Sequence, residues 1–241
     1  MATRKRRLRH AALVAVGLLL FAGCEESLGR PPLPPTAPSA VTACLTATGQ
    51  LLADVNNDGR PDLVADPSRS GARLTITFGA GSARETTVGA RGLADRAGEH
   101  QQYVRVAVAD FDGDGWTDLV VVAGAEQRGD DPIPPKLSEL RLGPFSDTGR
   151  GQRILHLDTG PTKDIGVTDS DHDRFPDLAA YTYSGDGIHE TRVRLGDRAA
   201  ALGAQAEPTG HDDAADPPRT GLEPFYPRCV AGAPAEAPST A

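Results

Sequence analysis

One pattern occurs three times in this chain: an apolar segment, an aspartate-rich turn, and a second apolar segment. The copies are "LLADVNNDGRPDLVAD" at 51–66, "VAVADFDGDGWTDLVVVA" at 106–123 and "IGVTDSDHDRFPDLAAYT" at 165–182. They align without gaps, and their first aspartates, Asp54, Asp110 and Asp169, are 56 and 59 residues apart. Such self-similarity at a near-constant period is typical of chains that repeat one structural unit.

Each copy is followed by further short segments with the composition of β-strands. A segment ending in glycine comes next in all three units: "RLTITFG" (73–79), "SELRLG" (138–143) and "TRVRLG" (191–196). Another follows in the first two units, "RETTVG" (84–89) and "QRILHLD" (152–158). Four strands per repeat is the size of a β-propeller blade, and no stretch has a sustained helical period. The sequence therefore predicts an all-β, β-propeller-like array of about three four-stranded blades.

The aspartate-rich turns are candidate metal sites at 54–62, 110–118 and 169–177. Counted from the first aspartate, positions 1, 3, 5 and 9 carry side-chain oxygens, and position 7 offers a backbone carbonyl. The predicted side-chain ligands are Asp54, Asn56, Asp58 and Asp62; Asp110, Asp112, Asp114 and Asp118; and Asp169, Asp171, Asp173 and Asp177. The predicted backbone ligands are Arg60, Trp116 and Phe175. Oxygens at alternate positions of a tight turn converge, and such hard ligands suit Ca²⁺ better than Mg²⁺. We therefore predict up to three calcium ions.

The three loops differ at positions that matter for binding. Position 6 requires a residue that tolerates positive φ, which Gly59 and Gly115 do, whereas Arg174 would cost about 1 kcal/mol there. Asn56 gives the first loop one charge fewer than the second. We expect the second loop to bind calcium best, and the sequence leaves open whether the third binds at all.

Known calcium loops narrow the choice of family. An EF-hand requires a glutamate at position 12, where this chain has Ala65, Val121 and Ala180. A leucine follows position 9 instead, and the chain continues into an apolar segment. This arrangement resembles the FG-GAP/VCBS repeat, the calcium-loop blade of integrin α-chain propellers and of many exported bacterial proteins.

The resemblance covers roughly residues 45–200. Phe78-Gly79-Ala80 matches the motif that names the family, and 142–144 and 195–196 are degenerate versions of it. The resemblance implies that metal and fold are coupled, because the acidic residues of these turns repel one another without cations.

Three repeats are fewer than the four to eight blades of typical propellers. A fourth calcium loop would fall near residue 225, where the sequence has no acidic cluster, and "HDDAAD" (211–216) lacks the alternate spacing. Three blades could close with their ends joined, a metal-free fourth blade could form from both ends of the chain, or a dimer could make six blades.

The two ends of the chain indicate export. Residues 1–23 have a basic start and a 12-residue apolar run that ends in "FAGC", which resembles a bacterial lipoprotein signal with Cys24 as the acylated residue. The alternative is an ordinary secretory signal without lipid attachment. The Arg6-Arg7 pair also leaves open whether the chain is exported by the twin-arginine route. Residues 24–43 are then a proline-rich tether, 44–230 the folded domain, and 231–241 a disordered tail.

Export places Cys44 and Cys229 where disulfides persist, and they flank the foldable region, so we expect a bridge. Closing so long a loop would stabilise the fold by up to about 5 kcal/mol.

Loss of the basic residues in 1–23 leaves 20 basic and 33 acidic residues, a net charge of −13. Such a surface disfavours nucleic acids and anionic membranes as partners and leaves the lipid on Cys24 as the membrane contact.

The sequence has none of the patterns typical of a catalytic site. The histidines are scattered without zinc spacing, and no nucleophile elbow or phosphate loop is present. We expect a non-catalytic, lipid-anchored, extracytoplasmic calcium protein that binds a protein or polysaccharide. The alternative is a secreted hydrolase with a site on the propeller face, which a deep pocket with a His or Glu outside the calcium loops would favour. Trp116 is either a sugar-stacking platform or, more simply, a packing residue.

Overall fold

The computed structural model describes residues 32–35, 37, 39–198, 201–205 and 221–230, which form three antiparallel sheets and two four-residue helices. The predicted signal peptide, Cys24, most of the tether and the tail lie outside the described residues. None of the helices in the described ranges is long and apolar enough to span a membrane.

The first sheet has five strands, and each strand pairs with the next along the chain. They are β1 (Cys44–Leu45), β2 (Leu51–Ala53), β3 (Asp62–Ala65), β4 (Thr75–Phe78) and β5 (Thr86–Gly89). Inward and outward residues alternate, as in β4, where Ile76 and Phe78 are buried and the threonines are partly exposed. The strands β4 and β5 fall within the segments predicted from the sequence, whereas β1 was not predicted.

The second sheet follows two short helices, α1 (Ala90–Leu93) and α2 (Arg96–Glu99). Its four strands are β6 (Tyr103–Ala109), β7 (Asp118–Gly124), β8 (Leu137–Arg141) and β9 (Ile154–His156), again paired in chain order. Every residue of β7 is buried. A strand buried on both faces has an apolar side chain at nearly every position, which explains the valine run.

The third sheet repeats the same topology. Its strands are β10 (Thr162–Thr168), β11 (Asp177–Gly185), β12 (Ile188–Asp197) and β13 (Ala201–Gln205). The sequence indicated no particular segment as the fourth strand of this unit, and β13 supplies it. The prediction of about three four-stranded units is therefore confirmed, with β1 added to the first, and the structure shows that each sheet is antiparallel.

The core consists of two apolar clusters on opposite faces of the second sheet. One cluster joins the first sheet to Val106, Val108 and Val121, and the other joins the third sheet to Ala107 and Val120. Neighbouring residues of β6 thus face different sheets, as the two-residue period of a strand requires. The second sheet is the central layer of the fold.

A turn of the first unit reaches both of the other sheets. The Gly71 carbonyl accepts a hydrogen bond from the Val106 N–H at 3.1 Å, and the Ser70 carbonyl accepts one from the Ile165 N–H at 3.3 Å. Gly71 has φ 74°, and a Cβ there would lie 2.5 Å from the Val106 carbonyl oxygen. Glycine is required at this position because the two backbones approach so closely.

The C-terminal segment, residues 221–229, also contacts all three units. Its Gly221 N–H donates to the Val167 carbonyl at 3.0 Å, and its Cys229 N–H donates to the Leu45 carbonyl at 2.8 Å. The predicted disulfide between Cys44 and Cys229 is confirmed. Within the described part of the chain, its two ends share a single parallel bridge, Leu45–Arg228, and make no four-stranded sheet. The described residues thus provide no fourth blade, and they do not show three blades closed into a ring.

Candidate metal centres

The three acidic loops occupy equivalent places in the fold. Each joins the first strand of its unit to the second: β2 to β3, β6 to β7, and β10 to β11. Position 1 directly follows the first strand, and position 9 is the first residue of the second strand. The repeat in the sequence is therefore a repeat in space.

The aspartates at position 9 hold the strands together. Asp62, Asp118 and Asp177 are at most 1% exposed, and both oxygens of each accept backbone hydrogen bonds. One donor is the N–H at position 2, and the other is the N–H of a glycine within two residues of the end of the third strand. The donors are Val55 and Gly79 for Asp62, Phe111 and Gly143 for Asp118, and Ser170 and Gly196 for Asp177. These glycines belong to the Phe-Gly motif and its degenerate versions.

The aspartate at position 1 organises the turn. Asp110 accepts the Asp114 N–H at 3.1 Å with Oδ1 and the Gly115 N–H at 3.0 Å with Oδ2. Asp54 makes the same two bonds in the first loop, at 3.1 and 3.0 Å. These bonds fold the loop back on itself around the position-1 carboxylate.

Positions 3 and 5 form successive Asx turns, in which a side-chain oxygen accepts the N–H two residues further on. In the second loop, Asp112 Oδ1 accepts the Asp114 N–H at 3.2 Å, and Asp114 Oδ1 accepts the Trp116 N–H at 2.8 Å. The first and third loops repeat both bonds. Each of these bonds involves one oxygen of the side chain.

Two positions in each loop have left-handed backbone. Position 6 has φ 76° at Gly59, 92° at Gly115 and 69° at Arg174, as the sequence predicted. Position 4 is also left-handed, with φ 61° at Asn57, 67° at Gly113 and 64° at His172. The left-handed backbone at position 4 was not predicted from the sequence, although Asn and Gly, which tolerate this conformation best, occupy it in the first two loops.

The third loop is less tightly bonded than the second. Asp169 Oδ1 accepts the Arg174 N–H at 3.3 Å, and within the described residues the loop has no counterpart of the bond between the position-5 N–H and the position-1 carboxylate. Both left-handed positions of this loop carry long side chains, His172 and Arg174. Its backbone is therefore both more strained and less supported.

Carboxylate oxygens converge in two of the loops. In the second, one oxygen each of Asp110, Asp112 and Asp114 lie within 4.8 Å of one another. In the third, the converging set is Asp169, Asp171 and Asp177, so position 9 replaces position 5 and Asp173 stays outside. In the first loop, Asn56 occupies position 3, so fewer carboxylates are available there.

Burial makes these carboxylates costly to ionise without a counter-charge. Burial, followed by the nearby negative charges, raises the pKa of Asp110 from 3.8 to about 6, although backbone N–H donors oppose the shift. Burial likewise raises the pKa of Asp62 to about 6, and it raises the pKa of Asp54, Asp114, Asp118 and Asp177 above the ordinary value. A bound cation would oppose these shifts because it stabilises the ionised carboxylates, and the oxygen-only donor set fits a hard cation.

The second loop is also held by other parts of the fold. The Asp110 N–H donates to the Tyr226 hydroxyl of the C-terminal segment at 3.0 Å. The Arg198 guanidinium lies 5.0 Å from the centre of the Phe175 ring, and a Cβ on Gly113 would lie 2.7 Å from that ring. The second and third loops are therefore neighbours.

Comparison with known proteins agrees with this geometry. The stretch 54–121, from the first loop through the second into β7, matches the family model described as FG-GAP-like repeat. Residues 54–121 are an FG-GAP-like repeat. The third unit, outside that stretch, makes the same position-9 bonds. No curated protein and no solved structure matches the chain. FG-GAP-like repeats and the Cys44–Cys229 disulfide together indicate an oxidising, extracytoplasmic compartment.

Trp116, the candidate sugar-stacking residue, is 4% exposed. Its ring is therefore a packing element of the second unit and offers no platform to a sugar. The coordinating roles of the Arg60, Trp116 and Phe175 carbonyls stay predictions.

Proposed function

We propose that this protein is a non-catalytic, exported calcium-binding repeat protein, anchored to a bacterial membrane by lipid on Cys24, with a ligand-binding, adhesion or envelope-complex role. Calcium would occupy the turns at 54–62, 110–118 and 169–177. The lipid anchor is supported by the "FAGC" sequence, and export by the disulfide.

The convergence of Asp110, Asp112 and Asp114 is the observation on which the calcium proposal depends. The backbone bonds engage one oxygen each of Asp112 and Asp114, and one oxygen each of Asp110, Asp112 and Asp114 lie within 4.8 Å of one another. Three negative charges at this separation repel unless a cation lies among them. Extracellular calcium modules of this ligand type have Kd values of about 10⁻⁴ to 10⁻³ M, which suits a structural ion.

Thermal melts of the purified mature protein test the proposal, recorded in EDTA, in millimolar CaCl₂ and in MgCl₂. We expect a rise in melting temperature with calcium that magnesium does not reproduce, because Mg²⁺ requires stricter octahedral geometry. Equal melting temperatures in calcium and EDTA would refute calcium as the ligand of these loops.

A hydrolase is the second candidate, because His189 and Glu126 line one cleft that is built by elements of all three units. Neither residue belongs to a calcium loop. The His189 ring stacks on Tyr181 at 5.0 Å and contacts Tyr183 at 5.2 Å, and its Nδ1 lies 3.3 Å from the Gly187 carbonyl. These contacts are those of a packing residue. Turnover of a glycoside or ester that is abolished by His189→Gln or Glu126→Gln would favour the hydrolase.

A further inference from the structure

A cleft of about 650 Å³ opens at the end of the fold opposite the acidic loops. Its residues come from the beginnings of β6 and β10, at Tyr103 and Thr162, whereas both strands end at the first aspartate of a loop. A seven-residue strand spans about 20 Å, so the cleft and the calcium loops are separate sites.

Three segments form the walls of the cleft. Residues of α1 lie on one side, the loop 125–133 of the second unit on another, and the hairpin 183–189 of the third unit on another. The hairpin is fixed because the Gly187 N–H donates to the Tyr183 hydroxyl at 3.0 Å. It also abuts the second unit, since a Cβ on Gly185 would lie 3.4 Å from the Asp130 carbonyl oxygen. The cleft is therefore built by elements of all three units and is largely preformed.

Arg105 and Tyr103 line the cleft where β6 begins. Arg105 pairs with Asp164 of the neighbouring strand at 2.9 Å, and its guanidinium lies 5.6 Å from the centre of the Tyr103 ring. Tyr103 is 9% exposed, and its buried hydroxyl has no hydrogen-bond partner among the described residues. Because this hydroxyl is itself buried, Tyr103 contributes packing surface to the cleft and not a free hydrogen-bonding group.

The charge of the cleft is opposite to that of the chain. Arg91, Arg105 and Lys163 line it, and Glu126 is the acid among its described lining residues. Arg91 is committed to the Gly98 and Gln101 carbonyls at 3.0 and 2.7 Å. Arg105 is neutralised by Asp164, whereas Lys163 is exposed and makes no ion pair within the described ranges. Arg91 keeps its charge although its guanidinium is held by carbonyls, so Arg91, Lys163 and Glu126 together leave the cleft with one net positive charge.

We propose that this cleft binds a small ligand that bears a carboxylate, with the carboxylate on Lys163, the exposed ammonium, and the body of the ligand against Tyr103 and the Tyr183–His189 hairpin. One net positive charge matches one negative charge, whereas a phosphate or sulfate cluster would require several free cations. The volume suits a ligand of one or two rings. An acidic sugar and an acidic peptide share this chemistry, and the test separates them. This inference rests on the ligand-binding role proposed above and is independent of its calcium part.

Lysine acylation provides a direct test, because the mature chain has two lysines, Lys163 in the cleft and Lys136 outside its lining. The mature protein is treated with an amine acylating reagent in calcium, alone and with digalacturonic acid, glutamyl-glutamate or lactose, and each lysine is followed by mass spectrometry. We expect one of the two acids to slow acylation of Lys163 several-fold while Lys136 reacts at its usual rate and lactose has no effect. The acid that protects identifies the source of the carboxylate.

Variants supply the second readout, ligand-observed NMR of the protecting acid. Lys163→Gln should weaken binding about tenfold or more, the loss expected for one charge-assisted hydrogen bond, whereas Lys163→Arg and Lys136→Gln should retain it. Protection by neither acid, equal protection of both lysines, or equal protection by lactose would overturn the proposal. If calcium fails to raise the melting temperature but Lys163 is protected, the calcium proposal falls and the cleft stands; the reverse result removes the cleft alone.

Discussion

The second and third acidic loops have the same plan but differ in how well the rest of the chain supports it. In the second, glycines occupy both left-handed positions, and the C-terminal segment holds Asp110 through Tyr226. In the third, His172 and Arg174 occupy the left-handed positions, and Asp173 lies outside the converging carboxylates. An aspartate pattern alone therefore does not make two loops equivalent; backbone tolerance and packing decide how firmly each holds its oxygens.

The largest difference should come from the position-9 aspartates. Asp118→Ala strands two N–H groups in buried residues, Phe111 and Gly143, at about 1–3 kcal/mol each. Asp177→Ala should cost less, because Ser170 is exposed and water can replace its bond. Urea unfolding in EDTA, where no metal contributes, measures both variants. Equal losses would mean that burial of the bonds does not distinguish the two units.

The next largest effect concerns position 5. Asp114→Ala removes a converging carboxylate, so it should lose most of the calcium stabilisation of the second site, up to about 2.7 kcal/mol at hundredfold excess over Kd. Asp173→Ala should reduce the calcium-dependent rise in melting temperature less. Melting curves of both variants in calcium and EDTA provide the comparison, and a larger effect of Asp173→Ala would reverse our ranking of the loops.

Acid should act in opposite directions with and without calcium. The pKa of Asp110 rises on folding from 3.8 to about 6 in the metal-free protein, so its contribution is present below about pH 4 and is lost as the pH rises through 6. In EDTA, the melting temperature should therefore increase between pH 7.5 and pH 5, and Asp110→Asn should reduce the increase. In calcium, protons compete with the ion, and stability should fall over the same range. A fall in EDTA as well would contradict the burial of these carboxylates.

A smaller change tests the strain in the third loop. Arg174→Gly should stabilise the protein by up to about 1 kcal/mol, because glycine adopts φ near 69° without a steric cost. Arg60→Gly, at position 7 of the first loop, is the matched control and should not stabilise. Chemical denaturation in EDTA measures both, and calcium titration then reports whether the third loop binds more tightly. Destabilisation by Arg174→Gly would show that contacts of the arginine side chain stabilise the fold by more than its left-handed backbone conformation costs.

An effect of similar size tests the support that the C-terminal segment gives to the second loop. Tyr226→Phe removes the acceptor of the Asp110 N–H and should cost about 0.5–1.5 kcal/mol. The loss should be accompanied by weaker calcium binding at the second loop, with the third unchanged. Calcium titrations monitored by the amide NMR signals of Gly115 and Arg174 distinguish the two loops. An unchanged calcium affinity of the second loop would show that Tyr226 does not support it.

Features that recur at a fixed position in each repeat could be predicted from the sequence, whereas contacts whose sequence separation differs between repeats could not. The loops and most strands follow from fixed local patterns, and the Cys44–Cys229 bridge was expected because export leaves these two cysteines at the ends of the foldable region. The bonds from the Phe-Gly glycines to position 9 were missed because the separation is 17 residues for Gly79, 25 for Gly143 and 19 for Gly196.

Two other features depend on tertiary packing that local patterns do not record. Tyr226 reaches Asp110 across 116 residues of sequence, and only the fold brings them together. The cleft likewise collects Arg91, Tyr103 and Lys163 from different units. A chain with few aromatic residues and no catalytic motif gave no sign of either.

Native mass spectrometry during a calcium titration counts the ions that the protein binds and so shows whether these loops are calcium sites. We expect the mature protein to bind calcium stepwise up to three ions, Asp114→Ala to remove the first ion to bind, and Asp173→Ala to leave this first step intact. A protein that stays free of calcium at millimolar concentrations, or binds equally much after Asp114→Ala, would contradict the assignment of these loops as calcium sites.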